Sequence, residues 1–217
     1  MHRRRRTALA LSAALVAAGP LLAACGNEAH PGAAAVVGGE RIEVSALQTQ
    51  VEETRTAQAK APDAAQQISN TGQLSRAKLH GMIFGRVLDK AAADAGVTVS
   101  RKEVQDARAA AVRQSGGEKQ LADMLLQQRG LAPDQIDGAV QEDVLLTKLA
   151  AAMGADLGTP QGQQKVGAAL TKASQELDID VNPRYGAWDD TKIQLGDYKA
   201  PWITQVTKEP DAVQVGA

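Results

Sequence analysis

The sequence predicts a mainly α-helical module that begins with a small β-hairpin. Three observations carry this expectation. The 217-residue chain is rich in Ala and Gln and has only five aromatic residues, a composition that favours helices. Apolar residues recur at spacings of three and four through most of its length. One strong turn signal, Gly38-Gly39, stands between two short apolar runs.

In chain order, the first element is a leader. The opening MHRRRRTALALSAALVAAGPLLAACGN sets four arginines, Arg3 to Arg6, before an apolar run from Ala8 to Ala18. That run is well short of the roughly 20 residues that span a membrane, so it fits the core of a signal peptide. Gly19-Pro20 breaks it, and Leu22-Ala23-Ala24-Cys25 resembles the lipobox of bacterial lipoproteins. Cleavage is expected between Ala24 and Cys25, because the small residues admit a peptidase. The Cys25 thiol would then carry diacylglycerol. An arginine-rich start also resembles twin-arginine signals, so the export route stays open.

Residues 1–24 are thus expected to be removed, residues 25–33 to form a polar tether, and residues 34–190 to fold. Fully extended, the tether reaches at most about 30 Å. Two acyl chains suffice for stable anchoring, which predicts a lipid-anchored protein on the extracytoplasmic face of the cell membrane.

The folded part starts with AAVVGGERIEV, read as a hairpin. Ser45 is expected to cap a helix to about Lys60, with Ala46, Leu47, Gln50, Val51 and Thr54 inward. Pro62 to Gly72 reads as a polar connection. A long helix follows over about 74–95, with Leu74, Ala77, Gly81, Phe84, Leu88, Ala91 and Ala95 as its stripe, widened by Met82, Ile83 and Val87. Such width predicts contact with several neighbours, and Gly96 is placed to end the helix. Ser100 with Glu103 reads as a capping box, with Val99 and Val104 as its staple. That helix should run to about Gln114 and stop at Ser115-Gly116-Gly117. A helix over 118–129 carries Leu121, Met124 and Leu125 and ends at Gly130. Pro133 suits the first turn of the next, about 133–153, with Ile136, Val140, Val144, Leu145, Leu149 and Met153 inward. After a loop at 154–158, Thr159-Pro160 opens a last helix with Val166, Leu170, Ala173 and Leu177 inward. IDVNPRYGAWDD reads as extended chain, and residues 191–217 as a loosely ordered tail.

This order of elements is recognisable. AAVVGGERIEVSAL resembles the start of the SurA and PrsA chaperone families. GVTVSRKEVQDAR and LADMLLQQRGLAPDQIDGAVQEDVLLTKLA are similar to the rest of their N-terminal module. VNPRYGAWD looks like the strand that closes it in PrsA-like lipoproteins. The resemblance implies that helices from both ends of the chain pack together and that the hairpin pairs with a strand near Ile179 to Val181. It also implies a chaperone-like function: holding unfolded or newly exported polypeptides outside the membrane. Met82, Phe84, Met124 and Met153 are candidates to line an apolar groove for them, with core packing as the ordinary alternative. Tyr185 and Trp188 either stack on bound segments or seal the edge of the module. Docking of one specific envelope partner is the alternative function. In the enzymatic members a parvulin-type prolyl isomerase domain separates the last N-terminal helix from the C-terminal one. Here only residues 154–158 fill that gap.

No enzyme is expected. His30 falls in the tether and His80 on a flank of the long helix, where it is read as solvent-facing. No HExxH-like run, GxSxG, P-loop or GxGxxG occurs. Cys25 is the only cysteine, which excludes an internal disulfide. Asp189-Asp190 reads as a solvated turn. No cofactor or metal is expected. Nucleic acid is a poor partner, because removing the four leader arginines leaves 20 Lys+Arg against 25 Asp+Glu.

Overall fold

The computed structural model describes residues 31–62, 64–69 and 73–198. The leader, Ala24 and Cys25 lie outside the described residues, as do residues 199–217. The chain divides into two units, Met1–Pro31 and Gly32–Ala217, and the architecture below is that of the second. It is a mainly helical module with a small N-terminal hairpin joined by later strands. Among the described residues no helix is long and apolar enough to cross a membrane.

Strands β1 (Ala33–Val37) and β2 (Glu40–Glu43) form the hairpin. Val37 pairs with Glu40 across Gly38 and Gly39, whose φ angles of 60° and 78° are the positive values a two-residue turn of this kind requires. β1 is the middle strand of a sheet ordered β2-β1-β3, and β3 (Asp180–Val181) pairs with it antiparallel, Ala35 opposite Val181. This is the pairing the resemblance implied. The helices Val44–Ala59 and Leu74–Asp94 pack against β1 as well as its two neighbouring strands, and Ala33, Ala34, Ala35 and Val37 are all buried. Ala33 therefore belongs to the sheet and not to the tether.

Helix α1 (Val44–Ala59) starts one residue before Ser45, and Ser45 does not cap it. The Val44 N–H donates to Gly32 O at 2.8 Å, so the backbone already fills part of the role a capping side chain would take. Leu47, Val51, Thr54 and Gln58 are its buried residues, while Ala46 is exposed. Within the expected connection lies a short helix, α2 (Ala64–Ser69).

Helix α3 (Leu74–Asp94), about 30 Å long, is the centre of the module. It packs against α1, β1, the later helices α6 (Ile136–Ala152) and α7 (Pro160–Glu176), and the strand β5 (Gln194–Gly196). The expected stripe holds at Leu74, Leu88 and Ala91, and the widening residues Ile83 and Val87 are buried with them, but Lys78, Leu79 and Ala92 are buried outside it. Leu79, Ile83, Val87 and Leu88 are fully buried, whereas Ala77 and Ala95 are exposed and Gly81 and Phe84 half-buried. With neighbours on several sides, burial covers more of the helix than one stripe can describe.

Helix α4 (Arg101–Ser115) begins at the expected capping box. Ser100 accepts from the Glu103 N–H, and the Glu103 carboxylate accepts from the Ser100 N–H. It ends at Gly116, in the left-handed region. Helix α5 (Glu118–Arg129) ends likewise at Gly130. A 3-10 turn (Pro133–Gln135) leads into α6. Thr159 caps α7, its hydroxyl accepting from the Gly162 N–H. α6 passes to α7 through residues 153–159 alone, so no further domain is inserted there.

The chain then returns along the sheet as β3 and closes with a hairpin of β4 (Ala187–Asp189) and β5. β5 corrects the expectation of a loose tail from residue 191. Asp189 Oδ1 accepts from the N–H groups of Thr191 and Lys192 and from the Thr191 hydroxyl, which builds the turn and buries Leu195. The Thr191 and Lys192 bonds hold the Asp189 carboxyl far below the usual range.

Candidate functional site

A groove of about 660 Å³ runs between α1, α3 and α6. Its apolar surface comes from Leu74, Met82 and Leu131, and its charged border from Glu53, Arg129 and Glu142. Helical spacing on α3 places Leu74, Lys78 and Met82 one turn apart on one side. Gly81 and Gly138 face open space: a methyl group at either would meet nothing within 4 Å among the described residues. Both glycines line the groove, and no side chain of their own fills it there.

A polar network lies beside the groove. Lys78 is only 7% exposed. Its ammonium donates to Gly130 O at 2.7 Å and to Gln135 Oε1 at 2.5 Å. The Thr54 hydroxyl shares its one hydrogen between the same two acceptors, at 3.0 Å and 3.3 Å. Gln135 Nε2 donates to Gln50 O and to Glu53 Oε2, each at 2.9 Å. Four parts of the fold meet here: α1, α3, the end of α5 and the turn before α6. Burial pushes the Lys78 ammonium down to about 8, against the opposing pull of Glu53. Burial also raises the Glu142 carboxyl, and Asp143 and Asp89 raise it further against Arg129. The network was missed in the sequence because its members are far apart in the chain and none sits in a motif.

A second hollow of about 800 Å³ lies among α4, α5 and α6, with Val99, Val104 and Val112 on its surface and Arg108 at its border. α4 has no fully buried residue. Arg108 bridges to Glu118 and Asp137, and Lys148 to Glu103 at 2.5 Å.

Of the residues expected to line a groove, only Met82 borders the first one. Phe84, Met153, Tyr185 and Trp188 are partly buried against the main core, and Met124 is half-buried on α5. His80 is not solvent-facing. Its ring lies 5.6 Å from that of Trp188 and 6.3 Å from that of Phe84, and Nε2 is 3.2 Å from Ile193 O. β5, unforeseen in the sequence, covers that flank of α3.

Ser174, His80 and Asp190 do not form a catalytic triad. Ser174 is fully buried and accepts from Trp188 Nε1 at 2.8 Å, while its hydroxyl donates to Asp190. The His80 ring is engaged with a backbone carbonyl instead of the serine. Among the described residues no three His, Cys, Asp or Glu side chains are grouped to hold a metal ion. The groove offers binding surface and hydrogen bonds.

The family model for the SurA-like N-terminal domain matches residues 5–150 of the chain. No curated protein and no solved structure matches it.

Proposed function

Because the chain belongs to the SurA-like N-terminal domain family, we propose that it is a lipid-anchored, non-catalytic chaperone-like protein that binds unfolded or newly exported polypeptides at the extracytoplasmic face of the cell membrane. The observation that carries this reading is the α1/α3/α6 groove, with apolar surface and two glycines in its lining. Apolar segments of a client gain from leaving water, and a flexible Met82 adapts to different side chains. The lipobox at Cys25 supplies the anchor, and the tether keeps the groove near the site where chains emerge.

The test is suppression of aggregation of an unfolded protein by the full chain in detergent or vesicles. Suppression at near-equimolar ratio is the expected result. No suppression at several-fold excess overturns the reading.

Docking of one folded envelope partner is the second reading. It is favoured by α4, which leaves Val104 and Val112 half-exposed beside the second hollow. Cross-linking separates the two: one dominant adduct supports docking, and many unrelated adducts support client holding.

A further inference from the structure

Two buried polar groups beside the groove have unused hydrogen-bonding capacity. A lysine ammonium carries three N–H donors. Gly130 O and Gln135 Oε1 take two from Lys78, and no third acceptor is within reach among the described residues. The side-chain oxygen of Gln58, a residue 2% exposed on α1, has no hydrogen-bond partner among the described residues. Native folds leave few buried acceptors unfilled, because each costs the solvation it gave up.

The two residues line adjoining hollows. The groove that holds Lys78 adjoins a hollow of about 470 Å³ lined by Gln58 and Gly130. Leu74, Ala77 and Arg129 border both. Gly130 links them: its carbonyl takes Lys78 and Thr54, and Thr54 is one turn from Gln58 on α1.

We infer that Lys78 and Gln58 bind the main chain of an extended polypeptide segment. The ammonium donates to a peptide carbonyl, and the Gln58 oxygen accepts from a peptide N–H. A main chain offers one donor and one acceptor at nearly every residue whatever its sequence, which suits a site that accepts many chains. Glu53, Asp134 and Glu142 around the groove disfavour a carboxylate in place of the neutral carbonyl. The open space over Gly81 and Gly138 admits the segment's backbone, and its apolar side chains rest on Leu74 and Met82.

This inference rests on the chaperone reading and names the part of the client that is recognised. The experiment measures fluorescence anisotropy of a labelled, C-terminally amidated peptide that alternates leucine and serine, titrated with the full chain. The variants are Gln58→Leu and Lys78→Met. Each is expected to bind about five- to tenfold more weakly, the effect of one net hydrogen bond. Gln58→Leu removes an unfilled acceptor, so its thermal stability should equal or exceed that of the wild type. A purely structural role predicts the opposite pairing, lower stability with unchanged binding. Equal peptide binding by Gln58→Leu and the wild type overturns the inference, as does binding confined to the free-carboxylate form of the peptide. If the wild type suppresses aggregation while either result holds, the groove site alone falls. If the wild type neither binds peptide nor suppresses aggregation, the chaperone reading falls with it.

Discussion

The indole Nε1 of Trp188 donates to the buried hydroxyl of Ser174 at 2.8 Å. This bond ties the β4–β5 hairpin to α7 and holds Trp188 over His80 on α3. Three elements separated in the chain thus share one contact. Replacing Ser174 with Ala should leave the indole N–H without a partner and cost about 1–3 kcal/mol. Chemical denaturation would read the loss, and tryptophan fluorescence should show a more exposed ring near Trp188.

Gly162 is required by close approach. A methyl group there would lie 1.9 Å from Asp156 O, a backbone atom of the loop before α7. Gly162→Ala must therefore push the loop away and should cost about 1–3 kcal/mol. Gly81→Ala, over open space, should leave stability unchanged or slightly raised. Parallel thermal melts of the two variants check this contrast.

Lys78 gives a pH signature. Its folded pKa of about 8 lies below the ordinary 10.5, so between those values the unfolded chain binds more protons than the folded one. The unfavourable burial of its charge is fully present below about pH 8 and fades as pH rises toward 10.5. Relative to Lys78→Met, the wild type should gain stability across that window, by up to about 3 kcal/mol at about 1.36 kcal/mol per pH unit. Urea titrations of both proteins at pH 7 and pH 10.5 measure it. A difference that stays flat contradicts the buried ammonium.

Glu103 gives the opposite case. Its bond from Lys148, with those from the Ser100 backbone and hydroxyl, holds the carboxyl down at about 2. The contribution is fully present above the ordinary 4.5 and is lost as pH falls through about 2. The stability difference between wild type and Glu103→Gln should be constant above pH 5 and shrink toward zero on acidification. Ser100→Ala should cost about 1 kcal/mol through loss of the cap, as read by thermal unfolding at neutral pH.

Cys25 carries the anchoring proposal. Cys25→Ser should shift the protein from the membrane fraction to the soluble one, and metabolic labelling with a fatty acid should lose its signal. Retention in the membrane with no label would contradict the lipobox.

Signals that act within a few residues were legible in the sequence. The Gly38-Gly39 turn, the Ser100–Glu103 box, the stops at Gly116 and Gly130, and the Thr159-Pro160 start all appear where expected. Short elements were not. α2 has six residues and β5 three, too few to show a period. The candidate site was legible only through Met82. The groove depends on which face of α3 meets α1 and α6, and Phe84, also a candidate to line it, is partly buried against the main core instead.

What the sequence determined by itself was local and ordered: a helical module opened by a hairpin, cut by glycine and proline at fixed places, with its elements in the order of the SurA-like N-terminal domain. Caps and turns act over one helical turn or less, so neighbouring residues suffice to specify them. The tertiary structure alone decided that Lys78 is buried, that Thr54, Gly130 and Gln135 gather around it, that Gly81 and Gly138 face one cavity, and that Trp188 leans on Ser174. Each of these joins residues from separate elements, and only packing brings such groups within hydrogen-bonding range.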